Sequence, residues 1–148
     1  MARPSASDLG KLPLFGGLAD DALRSFADAA VEKTFRTGDV VFRESEVARD
    51  LYVLESGALE VVKRGRDGDL TLWKIRPGES FGEMSLIDMQ PRSASVHAIA
   101  DSTAWCWGYA VFRERYCVDG KCYTLLVMNI ARELSRRLRR ADDLLAAR

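Results

Sequence analysis

The sequence is poor in the residues that most chemistry needs. It has one histidine, His97, and three cysteines, Cys106, Cys117 and Cys122, in 148 residues. A structural zinc site takes about four ligands at close spacing, and these four residues are scattered, so no metal site is expected. One histidine on a strand cannot assemble a Ser-His-Asp or Cys-His constellation. No catalytic residue is therefore assigned, and the chain does not read as an enzyme. No apolar run approaches the roughly 20 residues needed to cross a bilayer, which excludes membrane insertion by a helix. The opening Met1–Ser7 lacks the apolar stretch of a signal peptide. With the odd cysteine count, this sets a cytoplasmic expectation. Charge of one sign is also lacking: Lys+Arg and Asp+Glu both number 22. A dedicated nucleic-acid binder usually carries a basic surplus.

What is present is enough apolar material for one core, 47% of residues. Residues 1–148 are read as a single domain, without internal repeat or low-complexity segment. Leu18–Ala30 predicts a short helix, capped by Asp20, with Leu23, Phe26 and Ala30 at helical spacing. Short β-rich runs follow at Lys33–Arg36, Val40–Arg43, Leu51–Leu54, Ala58–Lys63, Leu70–Ile75, Ser93–Ile99 and Thr103–Gly108. Glycine-bearing turn signals separate them at 37–39, 55–57, 66–69 and 76–78. From Tyr109 the period is helical again: Tyr109–Tyr116, a break at Asp119-Gly120, then Cys122 to about Ala147. The fold class is α+β, mainly β. A jelly-roll-like β-roll over about 32–108 is flanked by an N-terminal helix and by C-terminal helices over about 109–147.

Gly78–Ala98, GESFGEMSLIDMQPRSASVHA, carries the chemistry. Gly82 has no Cβ and admits close approach to its backbone. Glu83–Asp88 fits one short helical turn whose first amides favour an anion. Arg92, read as the start of the next strand, can pair with two phosphate oxygens, and Ser93 adds a hydroxyl beside it. Glu83 would accept from a sugar hydroxyl. A carboxylate for a sugar and a guanidinium with amides for a phosphate describe a nucleotide cradle. A Glu and an Arg nine positions apart can also be a plain ion pair on a loop.

Phe81–Ile87 followed by Pro91-Arg92-Ser93-Ala94 resembles the phosphate-binding cassette of the cyclic nucleotide-binding domain family. That family includes bacterial catabolite activator and Fnr-type regulators, kinase regulatory domains and gated channels. Gly38–Glu44 resembles its early strand pair and Leu51–Val61 its central hairpin, so the likeness runs from about Leu12 to the end. The resemblance implies that Glu83 binds a ribose 2′-OH and Arg92 the cyclic phosphate. It implies that Gly82, Met84, Ser85 and Ser93 complete the cradle and that Leu72 packs on the base. Glu44-Ser45-Glu46 lacks a glycine common in the family, which leaves that one turn open. On the long helix, positions that contact adenine in the bacterial activator fall at Ala141 and Asp142. Adenine preference is therefore not implied, and Asp142 could accept from guanine or stand exposed. The bacterial regulators continue into a helix-turn-helix. This sequence, ending at Arg148, does not, so direct DNA binding is not expected.

Val127, Ala131, Leu134, Leu138, Ala141 and Leu145 form an a/d seam. It serves either a homodimer through the long helix or packing on the chain's own roll. The basic run Arg132, Arg136, Arg137, Arg139 and Arg140 reads as a solvated face. The expected function is a regulatory sensor that binds cyclic AMP or cyclic GMP, needs no cofactor, and signals by helix movement about Val118-Asp119-Gly120 to an unidentified protein effector. The alternative is an interaction or structural domain of the same fold that binds no nucleotide.

Overall fold

The coordinates are a computed structural model and describe residues 3–118 and 120–148, without the side chains of 115–118. The strands are β1 (Val31–Phe35), β2 (Val40–Phe42), β3 (Leu51–Ser56), β4 (Leu59–Gly65), β5 (Gly68–Ile75), β6 (Ser80–Phe81), β7 (Ser95–Ala98) and β8 (Ser102–Trp107). They form two antiparallel four-stranded sheets, ordered β1-β8-β3-β6 and β2-β7-β4-β5. Helices α1 (Ala6–Gly10) and α2 (Asp20–Ala29) precede the roll, with a 3-10 turn at Pro13–Phe15 between them. Helix α3 (Glu83–Asp88) interrupts the roll, and α4 (Tyr109–Val118) and α5 (Gly120–Ala146) follow it. This is the mainly-β roll with flanking helices that the turn spacing predicts.

Strand alternation divides the interior in two. In β3 and β8, Leu51, Val53, Trp105 and Trp107 face the helices, packing with Phe15, Phe26, Phe112, Leu126 and Ile130. Their neighbours Tyr52, Leu54, Ala104 and Cys106 face the second sheet, against Phe42, Leu59, Val61, Ile75 and Phe81. The central strands β3 and β8 of the first sheet are thus buried on both faces, so β3 reads as the near-continuous apolar run Leu51-Tyr-Val-Leu. Trp107 Nε1 donates to the Phe26 carbonyl at 2.8 Å and joins α2 to the roll.

Several boundaries differ from the sequence expectations. Asp20 is the first helical residue of α2, and Ala19 is its N-cap without a side-chain bond; Asp20 sits instead where an acidic side chain favours the helix dipole. Helix α1, closed by a Ser5–Asp8 capping box, and the two-residue β6 are too short to show a period. Arg92 lies in the loop before β7, which starts at Ser95. The expected break and hinge at Asp119, and the side chain of Cys117, lie outside the described residues.

Candidate functional site

The cassette is built outward from Gly82. It is the N-cap of α3 with φ of 86°. A Cβ there would lie 2.8 Å from the Asp50 carbonyl and 2.9 Å from Arg92 Nη1. Glycine is required here by the protein's own packing, beyond any closeness of a ligand. Arg92 fills the space so left. Its Nη1 donates to the Gly82 carbonyl and its Nη2 to the Asp50 carbonyl, each at 2.9 Å. The guanidinium lies 4.1 Å above the Phe42 ring. The backbone of Arg92 is fixed by the turn at 43–46: Ser45 N–H donates to its carbonyl at 2.8 Å, and its own N–H donates to the Glu46 carbonyl at 2.9 Å. Ser45 accomplishes this with φ of 72°, in the left-handed region that favours glycine.

Arg92 is 3% exposed and Glu83 1%. Burial pulls the Arg92 guanidinium below its ordinary value, yet an arginine stays a cation in a protein. Burial pushes the Glu83 carboxyl up, against the opposing pull of Arg137. Arg137, from α5, bonds Glu83 Oε1 and the Ser80 carbonyl. Glu133, one turn earlier, holds the other side of that guanidinium at 3.4 Å.

These groups line a cavity of about 360 Å³ between the roll, α3 and α5. Phe42, Val61, Trp73, Phe81, Ala94 and Val96 form its apolar wall, and Leu134 and Leu138 its helical side. Among the described residues, five buried side-chain polar atoms have no hydrogen-bond partner. Four of them belong to this lining: Trp73 Nε1, Glu83 Oε2, Arg92 Nε and Arg137 Nε, the last of which has only the ion pair to Glu133. Buried polar atoms are usually satisfied, and their concentration in one cavity points to a polar ligand. The arrangement offers donors at the Arg92 end, an acceptor at Glu83 and an indole wall between the sheet and α5.

Six of the residues singled out in the sequence share this lining: Gly82, Glu83, Met84, Ser85, Arg92 and Ser93. Met84 is exposed, and Ser93 Oγ stands 3.8 Å from its Sδ. Leu72 is not in this lining. With Trp73 it packs on the inner cluster and lines a second, apolar cavity with Thr71, Ala141, Leu144 and Leu145. Asp142 is exposed and lines neither cavity. Arg137 is the residue that sequence reasoning missed. Its place three residues after Leu134 and one before Leu138 was the available signal.

His97 Nε2 is satisfied by Glu60 at 3.1 Å, on the outer face of the second sheet. Among the described residues no cluster of three metal-ligating side chains occurs, and no helix is long and apolar enough to cross a membrane.

Comparison with known proteins agrees with this architecture. The model of the cyclic nucleotide-binding domain matches residues 32–116. The cyclic AMP receptor protein of Thermus thermophilus is 36% identical over 131 residues, covering 88% of this chain and 59% of that protein. A cAMP-dependent protein kinase regulatory subunit of Blastocladiella emersonii is 39% identical over 114 residues, covering 76% of this chain and 28% of that one. The chain thus spans between about a quarter and three fifths of the lengths of these relatives. Among solved structures, the Thermus thermophilus catabolite activator protein superposes with a TM-score of 0.76 at 32% identity, over 90% of this chain and 63% of that one. With a match to more than half of its length, the chain belongs to the cyclic nucleotide-binding domain family.

Proposed function

We propose that this domain binds a 3′,5′-cyclic nucleotide, cyclic AMP or cyclic GMP, in the cavity and reports the binding through its C-terminal helices. The observation that carries the reading is the pairing of a buried, incompletely satisfied guanidinium at Arg92 with a buried, incompletely satisfied carboxylate at Glu83 in one cavity. Arg92 takes the cyclic phosphate, helped by Ser93 and the amides of Met84 and Ser85. Glu83 takes the ribose 2′-OH through Oε2, with Arg137 holding its other oxygen. The base lies toward Trp73, where α5 crosses the roll. The volume fits a small-molecule site, for which about 300–1,000 Å³ is usual.

No residue acts catalytically in this reading, and no cofactor or metal takes part. The output is a shift of α5, passed to a protein effector or across a homodimer. Leu138, Leu144 and Leu145, each more than 60% exposed, are the contact face for either. The domain works in the cytoplasm and reads no DNA itself.

Calorimetric titration with cyclic AMP, cyclic GMP and their 2′-deoxy analogues tests this. Saturable binding of a ribonucleotide, weakened at least about tenfold by loss of the 2′-OH, is expected. Absence of heat with both ribonucleotides at millimolar concentration would leave the fold as a nucleotide-independent interaction domain. Equal binding of the deoxy analogue would remove the ribose role of Glu83.

A further inference from the structure

Arg49 stands in the loop before β3 and has no place in the cradle, yet it makes more directed contacts than most side chains of that loop. Its Nη2 donates to the Leu86 carbonyl at 2.8 Å and its Nε to the Ser85 carbonyl at 3.4 Å. Those carbonyls belong to the last turn of α3, where the Ser85 carbonyl also accepts from the Met89 N–H at 3.2 Å and a cation meets the negative end of the helix. The Arg49 guanidinium also lies 3.6 Å from the ring centroid of Tyr109, the first residue of α4. One side chain thus grips the end of the cassette helix and the start of the C-terminal helices.

The next residue ties this grip to the site. Asp50 gives its carbonyl to Arg92 Nη2. The same carbonyl is one of the two groups that crowd Gly82. Displacement of Arg92 toward an anion would pull on the peptide that follows Arg49, while displacement of α3 would pull on the Arg49 guanidinium itself. Both movements converge on the Tyr109 ring. Leu86 adds an apolar path, since it is buried in the same core as Phe112, Leu126 and Ile130.

We infer that Arg49 is the positioning residue that relays occupancy of the cavity to α4, through its hold on the end of α3 and its stacking on Tyr109. The inference rests on the nucleotide-binding reading above and names how that site is coupled to its output. Arginine suits the role because one planar group can donate along its edge and stack on its face at once; an ammonium can do only the first.

The test is hydrogen exchange of the intact chain with and without saturating cyclic nucleotide, run alongside calorimetry. Wild type, Arg49→Met, Arg49→Lys, Tyr109→Ala and Tyr109→Phe are compared. Wild type and Tyr109→Phe should show a ligand-induced change in α4 and α5. Arg49→Met, Arg49→Lys and Tyr109→Ala should lose more than about half of it while nucleotide affinity falls less than about tenfold. Protection changes in α3 should persist in all five. If Arg49→Met does not fold, Arg49→Lys and the Tyr109 pair decide. Binding in wild type with an undiminished α4–α5 response in Arg49→Lys and Tyr109→Ala overturns the relay and leaves the nucleotide reading standing. Failure of wild type to bind either nucleotide overturns both.

Discussion

Arg92 and Arg137 reach into one cavity from opposite sides, and their partners differ in kind. Arg92 comes from a loop pinned by backbone bonds, and it is held by two neutral carbonyls and the face of Phe42. Arg137 comes from a helix that crosses the roll, and besides the Ser80 carbonyl it is held by two carboxylates, Glu83 and Glu133. Carbonyl dipoles orient a guanidinium without cancelling its charge. A carboxylate orients it and cancels it. The first end of the cavity therefore keeps a net positive charge available to an anion. At the second end the cation is offset by carboxylates, and its bond to Glu83 joins two elements rather than facing outward.

Removing Arg92 should break the comparison most strongly. Arg92→Ala is expected to weaken cyclic nucleotide binding by roughly 2–5 kcal/mol, about 30-fold to several thousandfold, measured by calorimetry on a variant shown by melting to be folded. Unchanged affinity would mean that the charged end is not the ligand's end. Arg137→Met should act mainly on the empty protein. It leaves Glu83 buried without its counter-charge and is expected to lower unfolding stability by about 1–3 kcal/mol in denaturant titration. A loss of affinity as large as that of Arg92→Ala would erase the distinction between the two ends.

Glu83 sharpens the comparison through pH. Burial raises its carboxyl above the ordinary value of 4.5, so its neutral form is favoured by folding. The stability it contributes is complete below that ordinary value and declines as pH rises through the raised one. Unfolding of wild type and Glu83→Gln from about pH 4 to about pH 8 should show this decline in wild type alone. A parallel pH profile in both would show that Arg137 fully offsets burial. The smallest effect is expected at the turn that holds Arg92. Ser45→Gly relieves a left-handed φ of 72° and should add at most about 1 kcal/mol of stability, with affinity unchanged.

The cassette was legible because its residues are close in sequence. Gly82, Glu83, Arg92 and Ser93 sit within twelve positions of each other, and their order survives folding into one lining. The roll was legible from alternation and glycine turns, although β6, at two residues, carries no period. What stayed hidden depends on contacts far apart in the chain. Arg137 meets Glu83 across 54 positions and Asp50 meets Arg92 across 42, and neither pairing leaves a local signature. Arg137 was masked further by its basic neighbours, which make a buried arginine look like one more solvated charge. Leu72 differs for another reason: it is the extra residue at a register shift opposite Val61 and Val62, where simple alternation is interrupted, so it packs beside Trp73 and lines the neighbouring cavity.

Asn129 gives the long helix a mechanical character. Its Nδ2 donates to the Leu14 and Gly16 carbonyls, both at 3.0 Å, fastening that point of α5 to the N-terminal segment. Arg137 lies about 12 Å further along the axis, and Ala146 about 26 Å. In the proposed helix movement Asn129 would be the fulcrum of a lever whose free arm is about twice as long as the arm on which Glu83 acts. A rigid swing of about 1 Å at Arg137 becomes about 2 Å at Ala146, where Leu144 and Leu145 stand exposed.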